Sequence, residues 1–126
     1  MTMDAGGRAR RPRGPNLWRL PEVIALRVRR RRFDPPRRVT VNGIDREESE
    51  AVEIEVGVSE PFHIRALGPV LWVGDTPLTV AESDGRDVYR FFSFEPKELR
   101  PGAPISLSWG TSGPRKETPY RYEPVD

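Results

Sequence analysis

The residues of this chain that could do chemistry are few and scattered. Its only histidine is His63, and it has no cysteine. A structural zinc ion needs four convergent nitrogen or sulfur ligands, so a zinc site of the usual kind is excluded within one chain. Disulfide and thiolate chemistry are excluded with it. His63 sits in the run Phe62–Leu67, opposite Phe62 and Ile64 in a period of two, which makes it an ordinary polar strand residue facing outward. A serine nucleophile needs a base and a strained elbow; there is no Gly-x-Ser-x-Gly, and His63 is the sole imidazole. The stretch Gly110-Thr111-Ser112-Gly113-Pro114-Arg115-Lys116 has glycines and a lysine but not the spacing or the Gly-Lys-Ser/Thr end of a phosphate loop. No helical pattern follows it, so it reads as a linker. Asp84 and Asp87 flank a turn, with Asp75 not far off. Calcium takes about six or more oxygen ligands, whereas aspartate is an ordinary turn residue. No catalytic, cofactor-binding or metal-ligating residue is assigned, and the expectation is a non-enzymatic chain.

Arginine is the residue type with a pattern. Residues 1–38 hold twelve arginines against Asp4, Glu22 and Asp34, a balance of +9, although the whole chain carries only +2. Residues 39–110 hold six basic and thirteen acidic residues, a balance of −7. A basic arm therefore joins an acidic body, an asymmetry that points to a partner. Arg8, Arg10, Arg11 and Arg13, with the run Arg29, Arg30, Arg31 and Arg32, could neutralise phosphates, and Trp18 could stack on a base. The acidic body opposes that reading. Arg27 and Arg29 could instead pair across a sheet with Glu53 and Glu55. That accounts for the strand arginines but not for Arg8–Arg13. The third reading is assembly: the arm of one subunit lies on the acidic stretch Asp45–Glu60 of a neighbour or another protein, with Trp18 and Leu20 as a buried anchor. Proline-rich extended arms lose less entropy on ordering, which suits that role.

The elements that must present these residues are strands. Residues 1–21 are an Arg/Pro/Gly-rich arm with little to bury. Val23–Val28 and Arg38–Val41 are β-patterned, and Asn42-Gly43 marks a tight hairpin turn. In Val52–Val58, Val52, Ile54, Val56 and Val58 face one way and Glu53 and Glu55 the other. Phe62–Leu67, Val70–Val73, Leu78–Ala81, Val88–Phe94 and Ile105–Trp109 complete the set, with turns at Gly74-Asp75, Ser83-Asp84-Gly85 and Pro101-Gly102. One helical turn is expected near Pro96–Leu99. Seven or eight short strands at close spacing predict an all-β domain over 22–110, a small sandwich or alternatively a small barrel. Residues 111–126 are expected to be a Pro-rich extended tail in which Tyr120 and Tyr122 lie along a sheet edge. No stretch approaches the roughly 18 apolar residues of a membrane span, and no secretory leader is recognised. A cytoplasmic location, or a particle assembled there, is expected.

Val88-Tyr89-Arg90-Phe91-Phe92-Ser93-Phe94, Leu99-Arg100-Pro101-Gly102-Ala103-Pro104 and Ile105-Ser106-Leu107-Ser108-Trp109 together resemble the end of an immunoglobulin-like domain of the fibronectin or IPT/TIG kind. The resemblance covers about a third of the chain and implies a sandwich with binding or spacing roles. The Arg-x-x-x-Arg spacing of Arg27 and Arg31, with a basic arm, also occurs in the PilZ family of cyclic-dinucleotide-binding barrels, whose Asp-x-Ser-x-x-Gly motif this chain lacks. The expectation carried forward is a structural or adaptor subunit. It binds a protein partner, or its own copies, through Arg8, Arg10, Arg11, Arg13, Trp18, Leu20, Arg29–Arg32, Tyr120 and Tyr122. The alternative is a nucleic-acid-binding accessory protein.

Overall fold

A computed structural model of the chain describes residues 19–41, 43–62, 68–84 and 86–125. Its strands in chain order are β1 (Val23–Val41), β2 (Ile44–Val58), β3 (Pro69–Val73), β4 (Thr76–Leu78), β5 (Val80–Ser83), β6 (Val88–Ser93), β7 (Pro104–Trp109) and β8 (Lys116–Arg121). They form two antiparallel four-stranded sheets, ordered β1-β2-β6-β5 and β4-β3-β7-β8. The sheets do not close into a barrel, so the expected all-β sandwich is what the chain forms. Among the described residues no helix is long and apolar enough to cross a membrane.

The core follows from the period of two. Val52, Ile54, Val56 and Val58 of β2 point inward and are buried, as are Phe91 of β6, Leu71 and Val73 of β3, and Ile105 and Leu107 of β7. Each such side chain contributes about 1.5–3 kcal/mol by leaving water. Leu78, Leu99, Ala103 and Tyr122 close the two ends of this core. Tyr120 and Leu20 pack on its margin.

Several elements differ from their sequence pattern. The expected strand Leu78–Ala81 is split. Leu78 ends β4 in one sheet and Val80 begins β5 in the other, so the chain changes sheet at Thr79. The arginine run Arg29–Arg32 continues β1 without a break, with Arg29 opposite Glu53 and Arg32 opposite Glu50. The pairing then slips and resumes at Arg37 opposite Glu48. Between these pairs β1 advances five residues and β2 two, which makes a wide bulge containing Phe33, Asp34, Pro35 and Pro36. Proline has no N–H to give a ladder, so a bulge is where it fits. Beyond the bulge the hairpin closes with Val41 opposite Ile44, and Gly43 has φ +78°. That is the two-residue connection the sequence expects there; Asn42 lies outside the described residues. The single helical turn is a 3₁₀ turn, Pro96–Glu98. Finally, the sheet does not end at Trp109. Lys116–Arg121 is a strand paired with β7, and Tyr122, just past it, is buried.

Candidate functional site

The outer face of the β1-β2-β6-β5 sheet, the face turned away from the core, is where charge is organised. Strand register sets a row across all four strands: Arg27 of β1 is opposite Glu55 of β2, Glu55 opposite Arg90 of β6, and Arg90 opposite Glu82 of β5. Signs alternate along it. Arg27 Nη2 donates to Glu55 Oε1 at 3.0 Å, and Arg90 Nε donates to Glu55 Oε2 at 3.1 Å. The adjacent row starts with Arg29 opposite Glu53, followed by Phe92 and Val80. Arg29 Nε donates to Glu53 Oε2 at 2.6 Å, and Arg31 Nη1 to Glu53 Oε1 at 2.7 Å. Arg31 and Arg37 both reach Glu82, at 3.3 Å and 3.4 Å. Five arginines and three glutamates thus form one connected network with an excess of two positive charges.

Glu53 is its anchor. The side chain is 0% exposed although it points to the outer face. Burial alone would raise its pKa. The two guanidinium hydrogen bonds, with their charges, more than offset this and hold the carboxyl below its ordinary range. In return, chiefly through that hydrogen bond, Glu53 raises the guanidinium pKa of Arg29 and of Arg31. Aromatic rings cover the other side of the site. Phe33, from the bulge, meets Phe92 edge-on at 5.5 Å and Phe94 at 6.3 Å. Arg31 and Arg37 lie 5.5 Å and 5.4 Å from the Phe92 centroid, within cation–π range. The bulge thus sets the Phe33 ring, and Arg37 just after it, against Phe92, which is buried.

The root of the N-terminal arm is fastened. Ser59 N–H donates to the Glu22 carbonyl at 2.9 Å, and Lys116 Nζ donates to the Leu20 carbonyl at 3.1 Å. Lys116 also pairs with the Glu22 carboxylate, and Arg19 with Glu60. Residues 19–22 are therefore held between β8 and the end of β2.

Of the residues singled out from sequence, Arg8, Arg10, Arg11, Arg13, Trp18 and His63 lie outside the described residues. Leu20 is half-buried on the core margin. Arg29 and Arg31 are held by Glu53, Arg32 is exposed but lies 3.9 Å from the Glu50 carboxylate, and Arg30 is exposed. Tyr120 is half-buried, and Tyr122 is a core residue whose hydroxyl pKa is raised by burial. Arg27 and Arg29 do pair across the sheet with the two glutamates, Arg27 with Glu55 and Arg29 with Glu53. Glu82, Arg90 and Arg37 were not legible as their partners, because strand order brings them together and strand order has no local signal. Asp84 serves its own turn, accepting from Arg86 N–H at 2.8 Å, and Asp75 accepts from Arg115 at 3.1 Å. No group of three metal-ligating side chains occurs among the described residues. Residues 110–115 connect β7 to β8, which begins at Lys116, with Arg115 stacked 3.7 Å from the Trp72 ring centroid. Comparison with known protein families, with curated proteins and with solved structures gives no match.

Proposed function

We propose that this chain is a non-enzymatic structural or adaptor subunit, an immunoglobulin-like domain. It joins a protein partner or a neighbouring subunit through its basic N-terminal arm and the charged face of its β1-β2-β6-β5 sheet. The strand order supports the domain type. β1-β2-β6-β5 facing β4-β3-β7-β8 corresponds to sheets A-B-E-D and C′-C-F-G of that architecture. It is used for binding and spacing, by analogy of fold.

The observation that carries the choice of partner is the engagement of the strand arginines. Arg27, Arg29, Arg31, Arg37 and Arg90 are held by carboxylates of their own chain. A nucleic-acid backbone would have to displace those carboxylates and would meet their charge. A protein surface with mixed charge can add to the same pattern without displacing anything. The alternative, a nucleic-acid-binding accessory role, would rest on Arg8–Arg13 and on the exposed Arg30, Arg32 and Arg38, the last two lying 3.9 Å and 3.8 Å from Glu50 and Glu47.

The test is binding of a single-stranded oligonucleotide measured across a salt series, for the full chain and for the chain lacking residues 1–18. Weak binding with a shallow slope is expected. Neutralising several phosphates would produce a steep fall with salt, and such a fall, lost on removing the arm, would favour the alternative.

A further inference from the structure

We infer that the free edge of β1 is a docking site for an acidic, extended segment of a partner chain, which adds to the sheet as a fifth strand. The inference rests on the reading of the protein as a partner-binding subunit and names the chemistry of the partner.

β1 is the outermost strand of its sheet. Its pairing with β2 is irregular between Val23 and Ala25 and again after Arg32, but unbroken from Ala25 to Arg32. Along those eight residues every second backbone N–H and C=O points away from β2, where no described strand meets them. Such an edge is a template for strand addition. Side-chain exposure agrees, at 61% for Arg27, 44% for Arg29 and 82% for Arg32.

The rows of the outer face say what should fill this edge. One reads Glu82, Arg90, Glu55, Arg27 from β5 to β1, and the next ends in Glu53, Arg29. Both end on an arginine at the edge, and the network holds two more guanidiniums than carboxylates. The position beyond Arg27 and Arg29 therefore calls for carboxylates two residues apart on one strand face. The other strand face would border Leu26 and Val28, which are only partly buried on the core margin. The segment that fits alternates glutamate or aspartate with apolar residues. β2 carries this pattern in Val52-Glu53-Ile54-Glu55-Val56 and already satisfies β1 from the other side.

Other occupants fit less well. The chain's own arm carries Arg8, Arg10, Arg11 and Arg13 against one carboxylate, Asp4, and has the wrong sign. Two β1 edges brought together would set arginine against arginine. Edge arginines also keep sheets from pairing indiscriminately; here the same charges would select an acidic strand and reject a copy.

The test uses the full chain, isotope-labelled, and a synthetic peptide copying residues 51–58. Expected are one-to-one binding and amide shifts concentrated at Ala25–Arg32, with β6 unmoved. The same peptide with glutamine for both glutamates should bind weakly, and one with proline at its centre should not bind. The substitution Arg27→Gln should weaken binding about two- to fivefold, as for one cross-strand charge pair. No binding, equal binding of the glutamine peptide, or shifts spread over β6 (exchange for β2) would each overturn the inference. So would association of the chain with itself through the same amides. Shifts at β1 on adding an oligonucleotide instead would overturn the partner reading as well, whereas silence of both probes overturns the edge site alone.

Discussion

Glu53 is the residue on which the charged face depends. It was legible as an outward glutamate able to pair with Arg27 or Arg29, but not as a fully buried one, because alternation assigns a face and not a depth. What lies against its carboxylate is the pair of guanidiniums of Arg29 and Arg31, one bonded to each oxygen. Replacing Glu53 by glutamine should destabilise the fold by about 2 kcal/mol. The figure sits near that for a charged hydrogen bond, since solvent reaches both guanidiniums. The pH dependence follows from the lowered carboxyl pKa. The contribution is present above the ordinary carboxylate value of about 4.3 and is lost as pH falls through the lower, folded value. Urea denaturation of wild type and Glu53→Gln at pH 7 and pH 3 checks this. The gap should shrink at pH 3, and an unchanged gap would remove Glu53 from its role. For comparison, Phe91→Ala in the core should cost about 3–5 kcal/mol at either pH.

The elements separate what sequence shows from what it hides. Val52–Val58 was readable because four inward apolar residues alternate with glutamates and Gly57. Arg29–Arg32 was not, since four consecutive arginines erase the period of two. Register with Glu53–Glu50 makes them strand. β8 was legible only through Tyr120 and Tyr122, expected along a sheet edge; the rest of it gives no strand pattern. Lys116–Arg121 is polar and contains Pro119, tolerable because β8 is an edge strand. Its value to the fold lies in Thr118 and Tyr120, in the hydrogen bond from Tyr122 N–H to the Ala103 carbonyl at 2.9 Å, and in buried Tyr122. Removing residues 111–126 should therefore unfold the domain rather than trim a tail; a preserved cooperative thermal transition would contradict that. The β7–β8 connection has its own constraint. A Cβ on Gly113 would lie 2.5 Å from the Trp109 carbonyl oxygen, whereas one on Gly68 meets nothing within 4 Å. Gly113→Ala should cost about 1–3 kcal/mol and Gly68→Ala almost nothing, as midpoints of thermal melts would report.

At the scale of the whole molecule, the charge asymmetry read from sequence is partly resolved within the fold. The strand arginines are matched by Glu53, Glu55 and Glu82, and the edge of β1 still carries an excess. Lys116 of β8 fastens Leu20 and Glu22, just before β1, to the sandwich. On the proposed function, the protein works by being held against another protein. The most direct measurement is the solution mass of the complexes formed by the full chain and by the chain lacking residues 1–18, each with and without nuclease. The expected result is a complex larger than the 14.4 kDa chain that survives nuclease and shrinks when the arm is removed. Equal masses with and without the arm, or a complex that nuclease dissolves, would contradict it.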